Sequence, residues 1–561
     1  MPLKYHWQLP KAVPKEIENR FPEIHPIILS ILFQKGLTEQ REIDEFLFPD
    51  YSRDIYDPFM LKDMRKGVER IRKARDKKEK VVIYGDFDAD GVTSATVLFK
   101  TFRKIGIKSP EVYLPDREKD GFGLNEAAIK RFAKEGVNLI VTCDCGITNY
   151  EEVKLAQQKG IDVIVTDHHQ EGTKLPPAFS LINPKLKREK YPCKHLAGVG
   201  VAFKLCSALL RQEKMSSNEA FEKWLLDLVA VGTVADMMPL LGENRTLVKY
   251  GLIVLNKTSN LGLRTLIERM GLALGNISSE DISFRIGPYI NAAGRINHAN
   301  DALLLLLSHS KEEANRFAEK LEEMNNRRQK IIDKVITEIK GRFSQEIRRK
   351  IIFVEGNWPE GIVGLVAHRL VEEYGKPAVV VSKTRDLKGS GRASGSFDLF
   401  GILAKFRKYF LSFGGHKKAV GFKLKNQECL NLLKEELLRE AHQFKEEEFC
   451  PKIRIDAVVR LEDINWELYE KIDCFQPFGQ DNEMPKFLAR NIQLTDMMTV
   501  GRNGEHRRLI FENTKKMIYF SVEKDNGLKV GNHYDVVFVL GVNQWNGQQE
   551  LQLKVVDIRE A

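Results

Sequence analysis

The segment VVIYGDFDADGVTSATVLFK, Val81 to Lys100, sets three aspartates at alternate positions, Asp86, Asp88 and Asp90, behind four apolar residues. In extended backbone that spacing turns all three carboxylates to one side. Three further apolar runs close in the same way. LIVTCDCG delivers Asp144, VIVTDHH delivers Asp167, His168 and His169, and DLVAVGTVADMMPL delivers Asp236. Carboxylates and imidazoles gathered this densely repel one another unless cations sit between them. An oxygen-rich set with one or two histidines suits Mn2+ or Mg2+ better than Zn2+, which prefers thiolate and imidazole. Two such ions about 3.5–4 Å apart polarise a phosphodiester and acidify bound water. Metal-dependent phosphodiester hydrolysis is the chemistry expected.

Each piece has a plainer reading when taken singly. An aspartate after a strand commonly caps the next helix, and Asp90 before GVTSA fits that role. A histidine pair alone is more often a core or surface feature. Cys143 and Cys145 flank Asp144, but no second cysteine pair completes a soft-metal site, so they read as buried thiols. Recurrence on successive apolar segments is what argues for one shared centre. The expected ligands of one or two ions are Asp86, Asp88, Asp90, Asp144, His168, His169 and Asp236, with Asp144 bridging. Asp167 is expected to ligate or to orient the neighbouring histidine. Asp88, Asp144, Asp167, His168 and His169 form the catalytic set.

The elements that must position these residues follow from the apolar pattern. VVIY, LIVTC and VIVTD are short β-branched runs, and helical stretches such as GVTSATVLFKTFRKIG and TNYEEVKLAQQKG come between them. Alternation of that kind implies an α/β fold with a parallel sheet covered on both faces. The carboxyl ends of such strands line the crevice where ligands bind. Residues 1–58 read as a small helical lead-in and 59–305 as the catalytic domain. In 306–345, Ala314, Phe317, Leu321, Met324, Ile331, Ile332, Val335 and Ile339 recur mostly at helical spacing, predicting one long connecting helix. A smaller α/β region fills 346–449, and 450–561 is β-rich, with a hairpin expected at Asn546-Gly547.

Composition narrows the classes. With 561 residues, 43% hydrophobic and 30% charged, the chain reads as a multidomain soluble protein. Its longest aliphatic stretch, Ala302 to Leu307, is too short for a bilayer, and the N-terminal segment lacks a signal-peptide core. Seven irregularly spaced cysteines argue against a disulfide scaffold, so a cytoplasmic protein with no membrane partner is expected. The formal net charge of +10 is compatible with a polyanionic partner.

Basic residues outside the acidic set supply candidates for holding such a partner. Arg117 lies in YLPDREKDGFG, Arg295 in NAAGR, and Ser390 and Arg392 in GSGR, where glycines expose backbone N–H groups. Arginine suits bidentate phosphate contact. No acidic residue occurs from Leu399 to Gln427, a span holding Lys405, Lys417, Lys418, four other cations, His416 and six aromatics. Cations interleaved with aromatics suit single-stranded nucleic acid.

GDFDADGVTSA, VTCDCGIT, VTDHH and VGTVADMMPL resemble, in order, the four motifs of the DHH phosphoesterases. YINAAGRI, LEEMNNRRQ, GIVGLVAHRL, GSGRASGSFDL, FGGHKKAVGF and PFGQDNEMPKF resemble motifs of its RecJ branch, the bacterial single-strand-specific exonucleases. Pro359 and the Ala393 to Ser396 stretch depart from the usual pattern. The resemblance implies a DHH domain, a DHH-associated domain and an OB-fold barrel. It implies Mn2+- or Mg2+-dependent 5′→3′ hydrolysis of single-stranded DNA to mononucleotides, in repair and recombination. It also implies that Arg117, Arg295, Ser390 and Arg392 grip the 5′-terminal phosphate. A helicase and a single-strand-binding protein are the expected partners, since no G-x-x-x-x-G-K-[ST] motor motif occurs. Two rival functions follow from the same motifs. One is a DHH phosphodiesterase of short oligonucleotides or cyclic dinucleotides. The other is a non-catalytic single-strand-binding scaffold, disfavoured because every carboxylate and both histidines are present.

Overall fold

The computed structural model describes residues 5–213, 217–445, 448–501, 504–512, 515–520, 527–545 and 548–561. The chain divides into two compact units. One comprises Pro49–Lys334 with Pro477–Asn482, the other Met1–Phe48, Val335–Gln476 and Glu483–Ala561.

The first unit is built on five parallel strands. Their spatial order is Glu111–Tyr113, Val81–Tyr84, Leu139–Cys143, Asp162–Thr166 and Ser180–Ile182. Val81–Tyr84 and Leu139–Cys143 are buried at every position, as continuous β-branched runs between two helical layers should be. The chain leaves Val81–Tyr84 towards one side of the sheet and returns to Leu139–Cys143 on the other. The crevice at that reversal is where an open α/β sheet takes its ligand. Asp86 and Asp144 follow these two strands.

The run before Asp236 is not a strand. Leu226–Ala235 is a helix whose residues Leu226 to Val234 are all buried. An apolar run with no polar face fits a buried helix as well as a buried strand. Gly251 allows its neighbour to pack closely, since a Cβ there would lie 2.5 Å from the Leu226 carbonyl oxygen. Nearby, Lys204 and Glu243 form an enclosed ion pair. Glu243 also accepts from the Tyr191 hydroxyl at 2.8 Å and the Tyr56 N–H at 3.0 Å. Burial pulls the Lys204 pKa down, against the pull of Glu243. Lys204→Met, which strands that carboxylate, is expected to cost about 3–5 kcal/mol in urea denaturation. Adding Glu243→Gln should recover part of the loss, because the amide still accepts from Tyr191 and Tyr56. A single variant as stable as the parent would show the pair to be solvated.

The second unit holds a mixed five-stranded sheet, ordered Phe410–His416, Ala419–Leu424, Lys388–Arg392, Ala378–Ser382 and Ile352–Gly356. Beyond it, Lys486–Val500, His506–Phe511, Lys515–Tyr519, Gln548–Glu560 and His533–Trp545 pair in sequence, and the last pairs back onto the first. Those pairings close a five-stranded ring. His533–Trp545 and Gln548–Glu560 run antiparallel, as a hairpin requires, while the expected Asn546-Gly547 turn lies outside the described residues. The N-terminal lead-in is helical but begins with a strand the sequence did not announce. His6–Gln8 pairs in parallel with Lys452–Arg454. One continuous helix, Lys311–Arg342, runs for 32 residues, about 48 Å at the usual rise.

Candidate metal centre

The three alternating aspartates do not share one extended segment. Asp86 follows the strand, whereas Asp88 is the N-cap of helix Ala89–Lys104 and Asp90 lies in its first turn. Asp88 Oδ1 accepts from the Asp90 and Gly91 amides at 3.0 and 3.1 Å. Asp88, not Asp90, is therefore the cap. The helix turns close over the strand end, and a Cβ on Gly91 would meet the Asp86 carbonyl oxygen at 2.5 Å.

Asp144 holds a left-handed backbone, φ +61°, which costs a non-glycine residue energy and recurs at functional sites. His168 Nε2 lies 3.1 Å from Asp144 Oδ1, 3.6 Å from Asp236 Oδ2 and 3.8 Å from Asp90 Oδ2. Potential ligand atoms of Asp86, Asp88 and Asp144 lie within 4.8 Å of one another, as do those of Asp90, His168 and Asp236, and those of Asp144, His168 and His169. Asp144 and His168 each belong to two of these triads.

Asp167 uses its oxygens differently. Oδ2 accepts from the Ile147 N–H at 2.9 Å, and Oδ1 from the His168 and His169 amides at 2.7 and 3.0 Å. Oδ1 also lies 2.8 Å from His169 Nδ1. This geometry orients His169 and leaves little of the carboxylate for a cation.

Electrostatics supply the test of whether a metal fits. Burial, then neighbouring carboxylates, drives Asp86, Asp144 and Asp236 well above the usual carboxylate range. Asp90 rises to about 7 for the same reasons. Burial pushes His168 down to about 3. For His169 burial acts downward, but the Asp167 carboxylate outweighs it and lifts the imidazole to about 9. Asp167 falls to about 2, burial being outweighed by His169 and the backbone donors. Asp86 Oδ1, Asp144 Oδ1 and His168 Nδ1 are buried without a hydrogen-bond partner among the described residues. Acids forced towards neutrality and unsatisfied oxygens facing one crevice suit a hard divalent cation. Cys143 and Cys145 are buried free thiols whose pKa burial raises, so neither offers a thiolate.

Of the expected phosphate binders, Arg117 sits against this cluster. Its guanidinium lies 4.3 Å over the Phe87 ring, and burial lowers its pKa against the pull of Asp86 and Asp88. Arg295 ends helix Gly287–Ile296, whose Asn291 accepts the Ala89 N–H at 2.9 Å. In the other unit, Arg392 Nη1 donates to Ser390 Oγ at 2.9 Å. Burial depresses the Arg392 pKa, and no carboxylate pairs with it among the described residues. A Cβ on Gly364, in the first turn of helix Val363–Tyr374, would lie 3.1 Å from Arg392 Nη2. Helix start, hydroxyl and guanidinium thus lie close together, the kind of donors an anion requires.

The acid-free span is less bare than its sequence. Lys405 pairs with Glu440, and Lys423 with Asp386 at 2.8 Å. Phe406, Tyr409, Phe410 and Phe422 are buried core. Lys417, Lys418 and His416 are exposed.

Three supporting groups were not foreseen. The Gly198 and Val199 amides, starting helix Gly198–Gln212, donate to Asp90 at 2.7 and 2.8 Å. A Cβ on Gly198 would lie 2.6 Å from Asp144 Cβ, so that approach requires glycine. Asn291 holds the Asp86–Asp90 loop through Ala89. Lys185, lowered by burial, feels Asp236 and Asp167. Its signal was available: a lysine just beyond the next strand of the same sheet, at the same crevice.

Known proteins match this arrangement. Residues 80–233 match the N-terminal domain of the DHH family, 348–443 the DHHA1 domain and 455–557 the RecJ OB domain. The chain is 34% identical over 565 residues to the single-stranded-DNA-specific exonuclease RecJ of Bacillus subtilis (strain 168), covering 99% of this chain and 71% of that one. The crystal structure of RecJ in complex with Mn2+ from Thermus thermophilus superposes with a TM-score of 0.85 at 26% identity, covering 100% of this chain and 80% of that one. A second structure, of exonuclease RecJ bound to manganese, gives a TM-score of 0.59 at 31% identity, covering 69% and 96%. By its sequence and by the cage at its sheet reversal, the chain belongs to the RecJ family of single-stranded-DNA-specific exonucleases.

Proposed function

We propose that this protein hydrolyses single-stranded DNA from its 5′ end to mononucleotides, using Mn2+ or Mg2+. The observation that carries the reading is the meeting of two ligand triads, Asp86/Asp88/Asp144 and Asp90/His168/Asp236, at the 3.1 Å approach of Asp144 and His168. When bound, one or two divalent ions polarise the scissile phosphate and acidify water. The residues hold and aim that chemistry. Asp144 faces both triads. Asp167 fixes the orientation of His169, and the Gly198 and Val199 amides fix Asp90. Arg117 places positive charge beside Asp86 and Asp88, where an approaching phosphate would otherwise be repelled by the acids. Ser390 and Arg392 are the second unit's candidates for the terminal phosphate, Arg295 is the first unit's, and Lys417 and Lys418 meet the strand.

In this reading residues 59–305 are the DHH catalytic domain, 346–449 the DHH-associated domain and 450–561 the OB-fold. Duplex opening falls to a partner helicase, with a single-strand-binding protein presenting substrate. The setting is the cytoplasm, in keeping with the absence among the described residues of any helix long and apolar enough to cross a membrane.

Digestion of 5′- and 3′-labelled single strands with Mn2+, Mg2+ or EDTA tests the proposal. Early release of the 5′ label as mononucleotide, abolished by EDTA, is expected. Early release of the 3′ label, or a preference for dinucleotides, would overturn it. Arg392→Ala should lower the preference for 5′-phosphate over 5′-hydroxyl ends. One charge-assisted contact is worth roughly 1.5–3 kcal/mol, or about ten- to a hundredfold in that ratio. An unchanged ratio would remove Arg392 from the terminal-phosphate site.

A further inference from the structure

The motif PFGQDN has no place in the chemistry above, yet Pro477–Asn482 packs within the catalytic unit, far downstream of that unit's other residues. Two of its backbone carbonyls tie it there. The Gln480 carbonyl accepts the Leu240 N–H at 2.9 Å. The Phe478 carbonyl accepts from Ser279 Oγ at 2.5 Å. A Cβ on Gly479 would lie 2.6 Å from Leu240 Cδ1, so a larger residue there has to displace the buried Leu240 side chain.

The segment is held in shape from within. Gly479 and Asn482 exchange backbone hydrogen bonds at 3.0 and 3.1 Å, and the buried Asn482 donates Nδ2 to the Pro477 carbonyl at 2.8 Å. Asp481 completes the turn at φ +57°.

Both anchors lead to metal ligands. Leu240, 1% exposed, ends the turn that begins at Asp236 and passes through Met237 at φ +54°. The Met237 and Met238 amides close that turn onto the Val234 and Thr233 carbonyls at 3.1 and 3.2 Å, and Leu240 is where the clasp takes hold of the chain beyond it. Ser279 opens the helical turn Ser279–Asp281, which continues through the π-helix Ile282–Ile286 into Gly287–Ile296. That last helix carries Asn291, which holds Ala89 between Asp88 and Asp90. A Cβ on Gly294 would lie 2.2 Å from the Phe87 carbonyl oxygen, so the helix rests directly on the aspartate loop.

We infer that Pro477–Asn482 is a positioning clasp, which fixes the Asp236 turn and the helix behind the Asp86–Asp90 loop so that the acidic cage keeps the spacing a divalent cation needs. The inference rests on the proposed metal role of Asp236. Groups that orient ligands typically alter metal affinity by about 10–100-fold when lost.

The test is direct calorimetric titration of the full chain with Mn2+ alone, in the absence of DNA. Asn482→Ala and Gly479→Val should each weaken Mn2+ binding by about 10–100-fold, Ser279→Ala by less. Circular dichroism and the EDTA melting temperature select the folded variants, and Ser279→Ala keeps the test open if the other two misfold. In an Asp236→Asn background Asn482→Ala and Gly479→Val should add less than they do in the parent, because the arm through Leu240 has no ligand left to position while the Ser279 arm still acts on the Asp86–Asp90 loop. Unchanged Mn2+ affinity in folded clasp variants would overturn the inference while leaving the metal site standing. An equal further loss in the Asp236→Asn background would make the segment general packing. Unchanged affinity on Asp236→Asn itself would remove Asp236 from the site and the inference with it.

Discussion

Asp144→Asn is expected to abolish DNA cleavage while leaving the metal-free fold intact. Asp144 Oδ1 is buried without a hydrogen-bond partner among the described residues, and its carboxyl belongs to two of the three ligand triads. Burial and the carboxylates of Asp90, Asp88, Asp86 and Asp236 all disfavour its ionised form, so in the metal-free protein its charge is a liability. Neutralising it relieves repulsion and should hold or raise the EDTA melting temperature. Asparagine also tolerates the left-handed backbone at φ +61°, whereas Asp144→Ala adds about 1–2 kcal/mol of backbone cost and confuses the comparison. Turnover should fall by more than the ~10–100-fold that loss of a ligand's hydrogen-bonding support costs. Calorimetry should show a reduced Mn2+ stoichiometry or affinity. A folded Asp144→Asn protein with near-parental turnover would refute an Asp144-centred metal cage.

Without metal, stability should fall as pH rises from about 5 to about 8, and Mn2+ should remove most of that fall. Asp86, Asp90, Asp144 and Asp236 all have folded pKa values above the ordinary carboxylate value, Asp90 at about 7. The folded state therefore keeps protons that the unfolded chain releases near pH ~4. That contribution is complete below the unfolded value and is lost as pH climbs through the folded ones. His169, raised to about 9, acts in the same direction above its unfolded value. His168, depressed to about 3, acts oppositely, adding stability as pH rises through its unfolded value, but it is one group against five. For Asp90 alone the shift corresponds to on the order of 4 kcal/mol at ~1.4 kcal/mol per pKa unit. A cation needs these carboxylates ionised, so its stabilisation should grow over the same range. Melting curves in EDTA and in excess Mn2+ across that range check this. A melting-temperature gain from Mn2+ that is independent of pH would mean the acids ionise freely without it.

Strand-borne parts of the centre were legible because their signals are local. Val81–Tyr84, Leu139–Cys143 and Asp162–Thr166 are β-branched runs ending in acids, and the parallel-sheet rule sends all three ends to one crevice. Alternation misled at Asp88 and Asp90, where an aspartate's preference for the N-cap overrides extension as soon as GVTSA offers a helix. Leu226–Ala235 shows what an apolar run alone leaves open, since wholly buried helices and strands share continuous apolarity. Lys405 reads as a free cation in the sequence because its partner Glu440 lies on another helix. No local pattern could bring Gln480 to Leu240, since that contact depends on chain far from the metal motifs.

The pairing of His6–Gln8 with Lys452–Arg454, reinforced by the Trp7 indole donating to Asp557 at 2.7 Å across 550 residues, dictates an order of assembly on the ribosome. The earlier strand has no partner until the segment up to Arg454 has been made. At about 5–20 residues per second that wait is on the order of half a minute. Closing so long a loop in an unfolded chain costs about 5 kcal/mol in entropy, by the logarithmic law. Prior folding of the intervening Pro49–Lys334 segment shortens the effective loop and lowers that cost. Vectorial synthesis thus favours Pro49–Lys334 folding before these two strands meet.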